Sequence, residues 1–519
     1  MGATTTALQA LHSPRILSAL IFALVFLGSG FLFSLYRLQG ADVAIWTWPL
    51  DKSSPSSPTS PIGHDASIAP STAGGTTAAS PPLDKIVFQQ TIQYFEDFEF
   101  HAPFRDTFGD QGARARIVRD WLIASEQSTD PRAKAVLDEA IEAATQALFP
   151  FMRNPPRNPN SPTPFADLRS RYERGSAGIV ITAGGGVVRY AAHLIITLRS
   201  VLRSTLPIQI FYSGDDDLFP SQRAWLSDLA AYGPELEFVD IDIVFNQSTL
   251  AFNTSHGGWA MKPYAILASR FERVVLLDAD AVLLQPPETA LLQHKAFLRS
   301  GALLFHDRLL WKGEFADRHN WWKENIRVPG PQLNRSLVWT EMYAEEGDSG
   351  VVVVDKSRAD VLMGLMHVAW QNSAPVRDSI TYKITYGDKE SWWFGLELTG
   401  ATYEFEKHYG AMLGWEEPDE ETNKTKICSF TIAHLDENNQ LLWYNGGLLK
   451  NKLLEGMQDV YEVPNKWMVD AEWIKGLGKE KYSCMRGGPI HDITEEESSL
   501  MSRFINEARR ADRALESLD

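Results

Sequence analysis

The sequence predicts an α/β fold built on a mostly parallel, doubly wound sheet, preceded by a transmembrane helix, a disordered stem and a small helical module. Three observations carry this. From residue 178 onward, short apolar runs alternate with stretches of helical periodicity, the pattern of repeated βα units. The run Val274-Val-Leu-Leu277 ends in Asp278 and Asp280, as a strand buried on both faces ends at the ligand-binding edge of a parallel sheet. Residues 16–35 carry no charge and are followed by a tract dense in Ser, Pro and Thr, the order of a membrane anchor and its spacer.

Composition bounds the class. A chain of 519 residues, 44% of them hydrophobic, can bury a large core. A net charge of −17 without a basic stripe speaks against a nucleic-acid partner. It suits a neutral substrate, or a phosphate met through a metal.

Taken in order, residues 1–15 form a cytoplasmic tail and residues 16–35 a signal anchor. The uncharged run exceeds the ~7–15-residue core of a cleaved signal and matches the ~20 residues that span a bilayer. Arg15 and Arg37 flank it evenly, so positive charge does not set its orientation. Residues 36–82 are the stem. Asn246, Asn253, Asn334 and Asn423 each begin an Asn-x-Ser/Thr site, which with the anchor favours a lumenal body in a type II arrangement. The two cysteines, Cys428 and Cys484, either pair in an oxidising lumen, closing a loop worth about 4 kcal/mol, or stay as buried thiols.

Residues 83–164 form the helical module and its linker. Ile117, Trp121 and Leu122, then Val136, Ala140, Ile141, Ala144 and Leu148, recur mostly at spacings of three and four, and residues 153–164 are rich in Pro and Asn. The main domain spans residues 165–455, followed by a C-terminal extension, 456–519, without a readable motif.

In the main domain, Gly178-Ile-Val-Ile-Thr-Ala-Gly-Gly-Gly186 is a strand running into a glycine turn. Thr182, Ala183, Gly184 and Gly185 could let backbone amides approach a nucleotide; the alternative is a plain tight turn. The run is not Gly-x-Gly-x-x-Gly, which disfavours a dinucleotide oxidoreductase. A helix over 190–203 and a strand over 208–212 follow. The triplet Asp215-Asp-Asp217 is a rival metal site or an exposed turn. A strand over 236–241 and a helix over 259–270 lead into the Asp-x-Asp strand. Because residues i and i+2 of an extended segment point the same way, Asp278 and Asp280 offer two oxygens on one face. Oxygen-only ligation suits Mn²⁺ or Mg²⁺; the alternative is a solvated acidic turn.

Strands over 302–305 and 351–354 come next, with Asp348 at the second one's entrance. After a helix over 358–370, Asp388, Lys389 and Glu390 precede an aromatic helix start, the composition of an N-cap with first-turn acid. Trp392, Trp393 and Phe394 are either core or a sugar-stacking platform. A strand over 429–435 carries His434 and pairs with one over 441–445.

These residues resemble the fungal mannosyltransferases of glycosyltransferase family 71, type II Golgi enzymes that add α-linked mannose to cell-wall and secreted glycans. The resemblance covers about residues 178–449. It rests on Val180-Ile-Thr-Ala-Gly-Gly-Gly186, Leu198-Arg-Ser-Val-Leu-Arg203, Lys262, Leu276-Leu-Asp-Ala-Asp280, Asp348-Ser-Gly350, Tyr386-Gly-Asp-Lys-Glu390 and His434. Ala281 stands where the family often has Asn, and Glu390 where many relatives have Asp. The likeness implies a GT-A type nucleotide-sugar (Rossmann-like) fold, GDP-mannose as donor, Mn²⁺ as cofactor, a mannose-containing glycan acceptor and retention of anomeric configuration. It favours an α-1,3 over an α-1,2 linkage, and a Golgi membrane location with the catalytic domain lumenal. Competing readings are a UDP-sugar transferase of the same fold and a non-catalytic glycan-binding scaffold.

On this reading Asp280 holds the metal, with Asp278 on metal or ribose. His434 is the third ligand or a core residue, and Lys262 a diphosphate contact or a surface lysine. Asp348, Asp388 and Glu390 are the candidate catalytic carboxylates. Acceptor contacts are expected from residues 310–342, with Trp311, Trp321, Trp322 and Trp339.

Overall fold

The structure is a computed structural model that describes residues 85–230, 233–252, 257–454, 456–476 and 481–516. The expected tail, anchor and stem, and Asn253, lie outside the described residues. Among the described residues no helix is long and apolar enough to cross a membrane.

The fully apolar runs become strands covered on both faces. β1 (Glu173–Thr182), β2 (Ile208–Tyr212), β3 (Leu236–Asp240) and β4 (Phe271–Leu277) lie in the order β3-β2-β1-β4 and pair in parallel. Alternation along β4 sends Val274 and Leu276 into one core and Val275 and Leu277 into the other, the period-2 consequence of the pleat. α4 (Val188–Ile196) covers the second face, while α5 (Gly257–Ala268), α6 (Ala359–Gln371) and α7 (Lys389–Thr399) cover the first.

The sheet departs from the expected topology beyond β4. β7 (Gly347–Asp355) runs antiparallel to β4 and to β6 (Ala302–His306), and β8 (Glu404–Phe405) is parallel to β6, so the seven-stranded sheet is mixed, though mostly parallel. A continuous apolar run such as Val351-Val-Val-Val354 reads the same in either direction, which is why sequence leaves the polarity open. The reversal has a consequence for the site. Leu277 pairs with Val351 and the Asp278 amide donates to the Gly350 carbonyl at 2.8 Å, so the start of β7 sits at the acidic end of β4.

The helical module packs on the first face. It comprises α1 (Lys85–Asp97), α2 (Phe108–Gln127) and α3 (Pro131–Leu148). Phe108 is fully buried against Trp321 and Trp370, each with ring centroids 4.9 Å away. Arg116 and Arg119 donate to the Leu398 and Thr399 carbonyls at 2.8 and 2.7 Å, satisfying the open end of α7.

Residues beyond 455, expected as a C-terminal extension, share a sheet with strands that precede them. β9 (Met412–Asp419) and β10 (Lys424–Ser429) share a six-stranded sheet with β13 (Lys466–Met468), β14 (Glu472–Ile474), β15 (Ser483–Arg486) and β16 (His491–Asp492). Cys428 on β10 and Cys484 on β15 are joined, S–S 2.10 Å, which settles the open choice between pair and thiols. α8 (Glu495–Leu515) starts at a capping box, Thr494 Oγ1 accepting from the Glu497 amide at 3.1 Å and Glu497 Oε2 from the Thr494 amide at 2.9 Å. A third sheet, β11 (Ile432–Leu435), β12 (Leu441–Asn445) and β5 (Ala281–Leu283), adjoins the segment following Asp280.

Candidate active site

A cleft of about 380 Å³ opens at the carboxyl ends of β1 and β4, bordered by Thr182, Ala183 and Gly184 on one side and by Lys262, Asp278 and Asp280 on another. Lys262 comes from α5, one helical turn after Trp259, so both project from the same side. Lys452 reaches the cleft from the loop after β12.

Lys262 is 3% exposed, and its ammonium lies 2.7 Å from Asp278 Oδ1 and 3.4 Å from Asp388 Oδ2. It also donates to Ser349 Oγ at 3.2 Å. Burial pulls its pKa down, but the Asp278 and Asp388 carboxylates outweigh burial and hold it above the ordinary lysine value. Asp278 is pushed up to about 7, by burial first and by Asp280 as well, against the pull of Lys262. About a fifth of its side chain is exposed. Asp280 forms an ion pair with Lys452, whose ammonium also lies 5.5 Å from the Tyr190 ring centroid.

The glycine turn serves a neighbour not foreseen as a cleft residue. A Cβ on Gly184 would fall 2.1 Å from Asp217 Oδ1, so only glycine admits the Asp217 side chain there. The Gly185 amide is spent on the Asp217 carbonyl at 2.5 Å. Asp217 borders the cleft and is held by the Ser213 amide at 3.0 Å, and burial raises its pKa. The triplet does not act as one ligand set, because Asp215 turns away to Arg223 at 2.7 Å and Asp216 is exposed.

A second ionic cluster neighbours the first, Asp348 being near enough to act on Lys262. His434 Nε2 is 3.2 Å from Asp348 Oδ2, and its ring stacks on Trp443 at 4.2 Å and 19°. Asp348 Oδ1 accepts from the Gly350 amide at 2.9 Å and from Asn445 Nδ2 at 3.2 Å. Burial opposes its charge, yet the His434 hydrogen bond and charge hold it well below the usual carboxylate range. Lys389 pairs with the fully buried Asp307.

Several expected roles are corrected by this geometry. Among the described residues, the trio of His, Cys, Asp or Glu whose ligand atoms all lie within 4.8 Å is Glu417, Cys428 and Cys484, which is the disulfide and its neighbour. In this structure the ligand atoms of Asp278, Asp280 and His434 do not all lie within 4.8 Å of one another. His434 is buried between Asp348 and Trp443, and neither it nor Asp348 borders the cleft. Glu390 accepts from the Glu346 and Gly347 amides at 3.0 and 3.2 Å and from Trp393 Nε1 at 2.7 Å. It anchors the start of β7, and burial pushes its pKa up to about 8. Asp388 does not cap α7 with its side chain; it accepts from Trp392 Nε1 at 2.8 Å and faces Lys262. Trp392, Trp393 and Phe394 are core, as are Trp321 and Trp322. Of the Asn-x-Ser/Thr sites, Asn334 and Asn423 are exposed and Asn246 is half-buried, its Oδ1 accepting from the Ser248 amide at 2.9 Å.

The Asp278 and Asp280 carboxylates fit a hard divalent ion. Both are oxygen donors bordering the cleft, and each already faces a positive charge, the ammonium of Lys262 or of Lys452.

Fold and cleft define an α/β protein with an acidic site at its sheet edge. The family model described as "Mannosyltransferase putative" matches residues 176–436, half of the chain, and the chain belongs to that family. It is 27% identical over 367 residues to "Alpha-1,3-mannosyltransferase MNT3" of Saccharomyces cerevisiae, covering 62% of this chain and 56% of that one. It is 27% identical over 329 residues to "Alpha-1,3-mannosyltransferase MNT2" of the same organism, covering 57% of each. With "Putative alpha-1,3-mannosyltransferase MNN15" of Candida albicans it shares 28% identity over 325 residues, 52% of this chain and 41% of that one. The chain thus spans roughly half the length of the curated relatives it matches. The crystal structure of the galactosyltransferase LgtC with donor and acceptor sugar analogues is 13% identical, covers 42% of this chain and 70% of its own, and superimposes with a TM-score of 0.28. A score that low decides nothing about this chain.

Proposed function

We propose that this protein transfers mannose from GDP-mannose to a mannose-containing glycan, forming an α-1,3 linkage with retention of configuration, in a GT-A type site that uses Mn²⁺ or Mg²⁺. The observation that carries the proposal is the pairing of Asp278 and Asp280, at the edge of a mostly parallel sheet, with two lysines, in a chain of a mannosyltransferase family. The names of the relatives support the linkage. The proposal extends to a type II protein of the Golgi membrane acting in protein glycosylation.

Asp280 and Asp278 would hold the divalent cation, which when bound supplies neutralisation of the charge that grows on a departing diphosphate. The remaining work belongs to the chain. Lys262 is fixed between Asp278 and Asp388 and offers an ammonium to the same leaving group. Lys452 comes from a loop rather than a strand and can follow that charge. Asp388, positioned by Trp392, would serve the sugar side. The acceptor's proton can pass to the departing phosphate oxygen, so no separate base is required.

The test is incubation of the full chain with GDP-mannose, Mn²⁺ and mannobiose, the product linkage being read by NMR. An α-1,3-mannosyl product supports the proposal. Transfer from UDP-glucose or UDP-galactose instead, with GDP-mannose inert, overturns the donor.

A further inference from the structure

Trp259, which borders the cleft, stands beside Tyr386, their ring centroids 5.4 Å apart and inclined at 45°. They are 39% and 62% exposed. Of the exposed aromatics among the described residues, Trp259 is the one that borders the cleft. The two segments that deliver this pair also deliver the ionic pair beneath it. Trp259 precedes Lys262 by one turn of α5, and Tyr386 precedes Asp388 by two residues, while Lys262 and Asp388 meet at 3.4 Å.

Gly387 holds the arrangement. Its φ is +63°, and a Cβ there would lie 2.9 Å from Trp259 Cε3. The backbone before Asp388 is therefore pressed against the indole, and any other residue would be strained and would push the ring away.

We infer that Trp259 and Tyr386 form the platform on which the terminal sugar of the acceptor glycan stacks, a hexopyranose of the mannobiose class. The inference rests on the proposed mannosyl transfer and names the acceptor side of that same site. Aromatic rings take the apolar C–H face of a pyranose while a phenol or indole N–H meets its hydroxyls, which suits a half-wet site. The position separates acceptor from nucleotide. The glycine turn and Asp217 border the cleft from β1 and the loop after β2, whereas Trp259 borders it from α5 and Tyr386 sits two residues before Asp388, at the start of α7. An acceptor must also arrive from solvent over a bound donor, and these rings are the exposed rim. Trp321 and Trp322 are buried and cannot offer such a surface.

The experiment compares the full chain with Trp259→Ala/Tyr386→Ala and with Trp259→Phe, which keeps a ring. In the double variant the KM for mannobiose rises about tenfold or more while the KM for GDP-mannose moves less than twofold, and Trp259→Phe stays near the parent. An unchanged mannobiose KM, or equal rises for donor and acceptor, overturns the inference. Saturation-transfer NMR of mannobiose binding reads the platform without any donor. Loss of signal in the double variant supports it and an unaltered signal overturns it, even if the parent proves inert toward GDP-mannose and the donor proposal fails.

Discussion

The Lys262 ammonium lies 2.7 Å from Asp278 Oδ1 with only 3% of the residue exposed. A lysine expected as either diphosphate contact or surface residue is thus a buried cation held between carboxylates. Removing it would leave Asp278 and Asp388 facing each other without a counter-charge. Lys262→Met should lower the unfolding free energy by about 3–5 kcal/mol, the cost of breaking a buried pair from one side. Urea denaturation measures it, and a loss under about 1 kcal/mol, the value of a surface pair, would refute it.

Asp280 is placed differently, its side chain a fifth exposed and its partner Lys452 on a loop. Asp280→Asn should abolish mannosyl transfer and leave the urea midpoint within error of the parent. Removing divalent cations with a chelator should abolish the same activity, and added Mn²⁺ should restore it. Full transfer by the variant would remove the metal assignment.

His434 sits 3.2 Å from Asp348 Oδ2 and stacks on Trp443. His434→Ala should therefore destabilise the protein by about 2–4 kcal/mol through an unpaired buried carboxylate and a cavity. The Mn²⁺ concentration giving half-maximal activity should not change. A marked rise in that concentration would restore His434 as a ligand.

The Gly184 position tests a steric claim. Gly184→Ala would put a Cβ 2.1 Å from Asp217 Oδ1, costing about 1–3 kcal/mol as an overpacked contact. In an Asp217→Ala background the same change should cost much less, because the obstructing oxygen is gone. Equal costs in the two backgrounds would place the strain in the backbone instead.

On α8, Asp512 meets Arg189 at 2.7 Å, His193 at 2.7 Å and the Tyr461 hydroxyl. Burial opposes its charge, but these partners hold its pKa well below the usual carboxylate value of 3.8. A depressed folded-state value means the unfolded chain binds the proton first. The stabilisation is then complete above pH 3.8 and is lost as pH falls below it. Amide exchange across α8 should accelerate as pH falls from about 4 to about 2 more than in the strands of the main sheet, beyond the intrinsic pH trend. Asp512→Asn should show that faster exchange already at pH 6.

The strands were legible where local pattern suffices. Ile208–Tyr212 is fully apolar but for Gln209 and is buried along its length, and Asp278 follows directly on Leu277, the last residue of β4. Helical spacing likewise marked the stretch that forms α1, α2 and α3. The four strands after residue 455 were missed because runs of three residues or so, such as Lys466–Met468 and Glu472–Ile474, are too short to show a period.

By itself the sequence determined the strands β1 to β4 with the helices between them, and that two carboxylates end a buried strand, because hydrophobic period and its interruption are properties of neighbouring residues. Tertiary structure alone decided that β7 runs backward against β4, that Lys452 meets Asp280 across 172 residues, and that His434 faces Asp348. It also decided that Trp321 and Trp392 are core while Trp259 faces the cleft. A tryptophan or a charged side chain carries no local mark of its partner, since burial and pairing depend on which distant surface arrives to cover it.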